Sequence, residues 1–315
     1  MGIVLCIGLG FLGIQLASVS PIDAVTLSIV LGALVGNIAR VPTEWKSGIV
    51  WSEKKLLGVA IALYGLKLDF ALLQELGWIS FLMILVTMSS TLLLAKPLAK
   101  LFGLDGTMGL TIGIGTAVCG SAAIGATKDI IEADEAQAGM GIAVINFIGT
   151  LGIFLLPLLG VEILGLGAVD NGFMLGNSLQ AVGQVVAASF AVDEATGQVA
   201  TVVKMGRVLM LTPLIFILLQ LFQSKRQTEQ AQSVSIPRFV LGFLFFSILA
   251  SFQVLPADIV KGLGGIGKTL LIISMAGIGL KISIAKIKEY GLSALGLALL
   301  LFSIQLGLSV LMVLV

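Results

Sequence analysis

Apolar runs close to bilayer-spanning length recur along the whole chain, separated by short connections that carry most of the charge. A helix crossing hydrocarbon needs about 20 mostly apolar residues. About 11 such segments can be drawn, near 2–18, 24–39, 55–68, 77–95, 107–127, 137–158, 172–191, 200–222, 238–253, 266–283 and 290–315. The third is short, and the fifth and seventh are interrupted by glycine and polar residues. The longest hydrophilic connection, QSKRQTEQAQSVSIP at 223–237, is too short for a soluble domain. Backbone groups in lipid must be satisfied within the chain. The expected fold class is therefore an all-α polytopic membrane protein, a single transmembrane domain over 1–315.

Composition narrows the chemistry. Hydrophobic residues make up 58% of the chain and charged residues 11%, against roughly 25% charged in soluble domains. The 39 glycines suit helices packed closely within a bilayer. A net charge of +1 gives no electrostatic footprint for nucleic acid, so none is expected as a partner. Cys6 and Cys119 both lie in apolar runs, which argues against a disulfide framework. With no histidine in the sequence, no Cys–His or Ser–His pair can form and the usual zinc ligands are missing. Neither an enzyme nor a cofactor is expected. The first apolar segment starts at residue 2 with no charged region ahead of it, so it reads as a mature helix and not a cleaved leader.

Basic residues set the expected orientation. Arg40, Lys46, Lys54 and Lys55 follow the second segment, and Lys96 and Lys100 follow the fourth. Lys225, Arg226 and Arg238 follow the eighth; Lys281, Lys286 and Lys288 follow the tenth. Twelve of the 18 basic residues thus fall on one side, assigned to the cytoplasm. Eleven spans then place the N-terminus inside and the C-terminus outside.

A shift of 214 positions lays KKLLGVAIALYGLKLDFALLQELGW (54–78) over KTLLIISMAGIGLKISIAKIKEYGL (268–292), with ten of 25 positions identical. Gly65-Leu66-Lys67 falls on Gly279-Leu280-Lys281, Glu75 on Glu289, Gly77 on Gly291, and Pro42 on Pro256. Apolar bias does not generate paired Gly, Lys, Glu and Pro. The two copies have opposite parity, which predicts an inverted-topology repeat spanning about 24–95 and 238–315 around a core at about 107–222. The same register judges GLGGIGKT at 262–269, which matches a phosphate-binding loop letter for letter. Its counterpart, GIVWSEKK at 48–55, keeps neither the internal glycine nor the GK[ST] ending. No buried strand precedes the motif and a span follows it, so the expectation is a glycine-rich helix entry.

The fifth and seventh segments are the candidate site. GIGTAVCGSAAIGATKD (113–129) and GNSLQAVGQVVAAS (176–189) both look like broken helices. Such breaks persist in a membrane only where they face protein or water, and the half-helix beyond each offers bare N–H groups. Thr116, Cys119, Gly120 and Ser121 on the first break, and Asn177, Ser178, Gln180 and Gln184 on the second, would line a cavity for a small anion. Close packing of small residues at a helix crossing is the other reading. Lys204 and Arg207 share one face of the eighth segment and would supply charge, or snorkel at the boundary. Lys67 and Lys281 sit at helix ends, where snorkelling is favoured. Asn146 is a lone polar group in an apolar helix. The acidic runs at 128–137 and 193–198 suit helix N-termini better than a coupling-ion site.

GTAVCGSAAIGAT (115–127), VGQVVAAS (182–189), VVKMGRVLML (202–211) and LYGLKLDF (63–70) together resemble the YeiH-like family of bacterial inner-membrane proteins, labelled sulfate exporters. The similarity runs in order over nearly the whole chain. More distantly, that family is similar to the superfamily of bile acid–sodium symporters and sodium–proton antiporters, whose paired broken helices cross at mid-membrane. The resemblance implies an elevator-like or rocking carrier and puts Cys119, Gly120, Ser121, Gly183, Gln184, Lys204 and Arg207 on motif positions. Just before the V-[GA]-Q-V-V stretch the family often carries a histidine followed by an acid; here these are Gln180 and Ala181. Coupling to protons through that histidine is not available to this chain, which makes sodium or simple exchange the more open routes.

The expected function is a secondary transporter, exporting or exchanging a small anion such as sulfate or an organosulfonate by alternating access. The alternatives are an anion channel and a sodium-coupled organic-anion symporter. The expected partners are the anionic substrate, the lipid bilayer and a second copy of the chain in a homodimer. A coupling ion, Na⁺ or H⁺, is left open.

Overall fold

The computed structural model describes residues 1–19, 24–39, 41–67, 70–222, 238–252, 255–281 and 291–314. Among the described residues every regular element is helical. They are α1 (Gly2–Ala17), α2 (Ala24–Ile38), α3 (Lys46–Trp51), α4 (Leu57–Tyr64), α5 (Phe70–Leu101), α6 (Gly106–Ala117), α7 (Ser121–Thr127), α8 (Glu135–Leu158), α9 (Ala168–Ser178), α10 (Val182–Val192), α11 (Glu194–Leu209), α12 (Leu211–Phe222), α13 (Arg238–Ser251), α14 (Ala257–Lys281) and α15 (Leu292–Leu314). Among the described residues, five helical stretches are long and apolar enough to cross a membrane: Gly77–Leu101, Ala136–Ile163, Glu194–Phe222, Asp258–Lys281 and Leu292–Leu314. Shorter apolar helices accompany them, α1, α2 and α10 among them. The chain is a multi-pass membrane protein.

Two compact units form. The first comprises Met1–Leu72, Phe190–Glu194 and Pro237–Lys286. Its centre is the pairing of α2 with α14, where small residues let backbones approach. A methyl group on Gly32 would lie 2.4 Å from the Ala276 carbonyl oxygen, and one on Gly279 would lie 2.2 Å from that of Ile29. Only glycine permits this spacing, and dispersion across it replaces a hydrophobic drive that lipid cannot supply. Cys6, Leu9, Ile49, Ile273, Ala276 and Leu280 form a buried cluster in this unit.

The third apolar segment, expected at 55–68, belongs to a helical run that begins at Lys46: α3 passes through a π turn at Ser52–Leu56 into α4 and a 3₁₀ turn at Gly65–Lys67. Hydropathy stops at Glu53, Lys54 and Lys55, but backbone hydrogen bonding does not. Lys281, at the end of α14, reaches Glu53 at 2.7 Å; both side chains remain partly exposed. The side chain of Lys67 lies outside what the structure describes. GLGGIGKT, as expected, is no loop. It lies wholly inside α14, where the Thr269 hydroxyl donates to the Gly265 carbonyl at 3.1 Å. Backbone N–H groups already held in a helix cannot cradle a phosphate.

The second unit comprises Leu73–Ser189, Ala195–Ile236 and Ile287–Val315. A kink at Gly77, with φ +56°, divides α5, and its second part enters this unit. There α15 packs on α6, α8 and α9. Two acids of the connections act as helix caps. Asp105 accepts from the Met108 N–H at 2.6 Å to start α6, and also from Gln137 Nε2 at 2.8 Å. Asp134 and Gln137 form a capping box at the start of α8.

Candidate functional site

Both suspect segments are broken. α6 ends at Ala117; Val118 leaves helical geometry at φ −110°, ψ −93°, and Gly120 turns at φ +70°, ψ −130° before α7 begins at Ser121. α9 ends at Ser178, Leu179 is extended at φ −67°, ψ 143°, and α10 begins at Val182. The two breaks meet. A methyl built on Gly120 would lie 3.7 Å from Gln180 Cβ and 3.8 Å from the Ala181 nitrogen. Both breaks lie in the second unit.

A helix break leaves carbonyl oxygens unpaired at the end of one half and N–H groups unpaired at the start of the next. Here the carbonyl ends are closed by two cations from α11. Lys204 Nζ donates to the Val118 carbonyl at 2.7 Å and to the Leu179 carbonyl at 2.8 Å, one from each break. Arg207 spreads its fork over the same ends. Its Nε donates to the Ala117 carbonyl at 3.1 Å and its Nη2 to that of Thr116 at 2.8 Å. Nη2 also reaches Ala117, and Nη1 reaches the Asn177 carbonyl. Both cations are 0% exposed. Cations at helix C-termini meet the negative end of the macrodipole.

A second polar layer braces α9. The Thr87 hydroxyl donates to Asn177 Oδ1 at 3.1 Å, and Asn177 Nδ2 donates to the Ser309 hydroxyl at 3.0 Å. Gln305 Nε2 donates to the Asn177 carbonyl, and the Thr91 hydroxyl points at Gln305 Oε1 at 3.5 Å. Sequence reading passed over Thr87, Thr91, Gln305 and Ser309, polar side chains within apolar helices. The available signal was the repeat register, since Thr91 and Gln305 are 214 positions apart.

The other candidates fall into three groups. Thr116 and Gln184 are engaged locally: the Thr116 hydroxyl donates to the Ile112 carbonyl at 2.8 Å. Gln184 accepts from the Ala181 N–H at 2.9 Å and donates to the Asn146 carbonyl at 3.3 Å. Cys119 and Gly120 are buried in the turn, while Ser121 is only half-buried. Ser178 Oγ and Gln180 Oε1 are buried with no hydrogen-bond partner. Residues 171–180 are all buried, whereas 181–183, at the start of α10, are half-buried. The carbonyl side of this break is sealed and the N–H side is more open. Among the described residues, no group of three or more His, Cys, Asp or Glu could hold a metal.

Comparison with known proteins gives the family. The family described as "Conserved hypothetical protein 698" matches residues 1–298. The UPF0324 membrane protein of Bartonella henselae is 33% identical over 288 residues, covering 91% of this chain and 82% of that protein. The UPF0324 inner membrane protein YeiH of Salmonella typhi is also 33% identical over 288 residues, covering 89% and 82%. The UPF0324 membrane protein of Pseudomonas putida is 32% identical over 281 residues, covering 87% and 80%. No solved structure matches the chain. With a match over residues 1–298 and relatives a third identical along nearly the whole chain, this protein belongs to the UPF0324 family of membrane proteins.

Proposed function

We propose that the chain is a secondary transporter, not an enzyme, and moves a small anion such as sulfate or an organosulfonate by alternating access. One observation carries the reading. Two cations, Lys204 and Arg207, are buried where the helix breaks meet, and among the described residues no Asp or Glu is buried to balance them. Each helix C-terminus supplies about half a negative charge, so the ends of α6 and α9 offset about one of the two positive charges. The starts of α7 and α10 add positive character. A buried surplus of this sign is costly unless an anion lies beside it.

Ser178 and Gln180 are the natural contacts, because each carries a buried polar atom without a partner. Hydroxyl hydrogens rotate and amide ends are assigned from their partners, so both groups can donate to an anion. The half-buried start of α10 would offer N–H groups beside them. Lys204 and Arg207 would act from behind, through space.

The same proposal includes an inverted repeat of eleven spans with the N-terminus in the cytoplasm; two pairs of helix boundaries support its 214-residue register. Adding 214 to Ala24–Ile38 gives 238–252, against α13 at Arg238–Ser251. Adding it to Gly77–Leu101 gives 291–315, against α15 at Leu292–Leu314. Each unit contains matched pairs, as a carrier that moves one unit against the other requires. Reconstituted protein loaded with labelled sulfate or small sulfonates should show saturable counterflow. Current without saturation or counterflow would make it an anion channel, and no movement across a broad anion panel would end the proposal.

A further inference from the structure

Carbonyl oxygens freed by a helix break are the groups that carriers of this plan use to coordinate Na⁺. In this chain those oxygens are already filled. Lys204 Nζ sits between one carbonyl of each break, Val118 at 2.7 Å and Leu179 at 2.8 Å, and Arg207 takes Thr116, Ala117 and Asn177. Both side chains are 0% exposed and come from one face of α11. An ammonium is a compact point charge with three donors, the closest side-chain equivalent of a small cation. It bridges the two breaks as a metal ion would. The sodium ion implied by resemblance to sodium-coupled carriers therefore does not fit at these oxygens.

We infer that Lys204 is a tethered replacement for a coupling sodium ion, so that the site between the breaks is assembled without Na⁺. The inference rests on the anion-carrier reading for its purpose but not for its geometry. A sodium-coupled carrier orders its substrate site only when the ion arrives, and this tethers substrate movement to the sodium gradient. A covalently attached cation keeps the two breaks joined throughout the cycle. Substrate then moves down its own gradient or in exchange for another anion.

The test needs no transport substrate. Full-length protein in detergent is melted while choline chloride is replaced by NaCl at constant ionic strength. The wild type should shift by less than about 1 °C. In Lys204→Ala the Val118 and Leu179 oxygens are released and the space is vacated, so NaCl should raise the melting temperature by several degrees. Lys204→Gln, which keeps a donor for one carbonyl, should show a smaller gain. A wild-type shift as large as that expected of the variant overturns the inference, as does a folded Lys204→Ala that ignores Na⁺. If neither variant is recovered folded, the wild-type melt decides: indifference to Na⁺ supports the inference and a sodium shift sinks it. Loss of all anion flux would leave these melts unchanged, so the two readings fail separately.

Discussion

Lys204 and Arg207, on one face of α11, divide the unpaired carbonyl ends of both helix breaks between them: Lys204 takes Val118 and Leu179, Arg207 takes Thr116, Ala117 and Asn177. A single helix therefore holds two others open at their midpoints. The breaks are not merely tolerated by glycine; they are closed by charge. Remote sequence positions, 116–118 and 177–179, are tied by hydrogen bonds to the same two side chains, Lys204 and Arg207.

Arg207 should be the less replaceable of the two. Its planar fork serves three carbonyl oxygens from two helices, which a lysine ammonium cannot match. Arg207→Lys should lower stability by about 2 kcal/mol, and Arg207→Met, which strips the Thr116 and Ala117 oxygens of their donor, by about 3 kcal/mol or more. Thermal melting in detergent checks both. Equal melting of wild type and Arg207→Lys would remove the bidentate role.

Gly120→Ala tests the turn itself. The added methyl would meet nothing closer than 3.7 Å, so no clash is expected. The cost comes from φ +70°, ψ −130°, a conformation that residues with a side chain rarely adopt. About 1–3 kcal/mol of strain should appear, with the crossing distorted and flux reduced. Gly125→Ala makes the control: it lies in α7 with open space around it and should melt like wild type.

Much of the architecture was legible in the sequence, and for clear reasons. Length and hydropathy located the helical segments, because a helix that must satisfy its own backbone in lipid has little freedom. Glycine with neighbouring polar residues marked both breaks, at 113–129 and 176–189. Spacing put Lys204 and Arg207 on one face but could not say what they face, since their partners lie 86 to 91 positions upstream at the first break and 25 to 30 upstream at the second. Charge misled at Lys54 and Lys55, which lie inside a helical run that began at Lys46. Thr87, Thr91, Gln305 and Ser309 stayed hidden because one hydroxyl or amide barely alters the hydropathy of a span.

Gln305→Leu probes the polar layer behind the second break. The Gln305 amide supports the Asn177 carbonyl, which Arg207 also uses, and faces Thr91. Removing it leaves the Thr91 hydroxyl with its bond to the Thr87 carbonyl at 2.8 Å, so the loss should be near 1 kcal/mol and not catastrophic. The double variant Thr91→Val with Gln305→Leu should cost less than the sum of the single changes, because the pair shares a bond. Melting of the four proteins gives the coupling directly. Strict additivity would mean that the 3.5 Å approach carries no energy.

Ser178 and Gln180 separate binding from folding most cleanly. Neither Ser178 Oγ nor Gln180 Oε1 has a hydrogen-bond partner, so Ser178→Ala and Gln180→Leu remove no bond at these atoms. Each should melt within about 0.5 kcal/mol of wild type, or slightly above it, since an unsatisfied buried polar atom has been removed. If these atoms are reserved for the anion, the apparent KM for counterflow should rise about tenfold, which corresponds to roughly 1.4 kcal/mol for a lost contact to a charged ligand. Maximal flux should change little, because the carbonyl ends of the breaks remain closed by Lys204 and Arg207. The reverse pattern, unchanged KM with lowered stability, would make both residues packing elements of the crossing and move the anion site elsewhere.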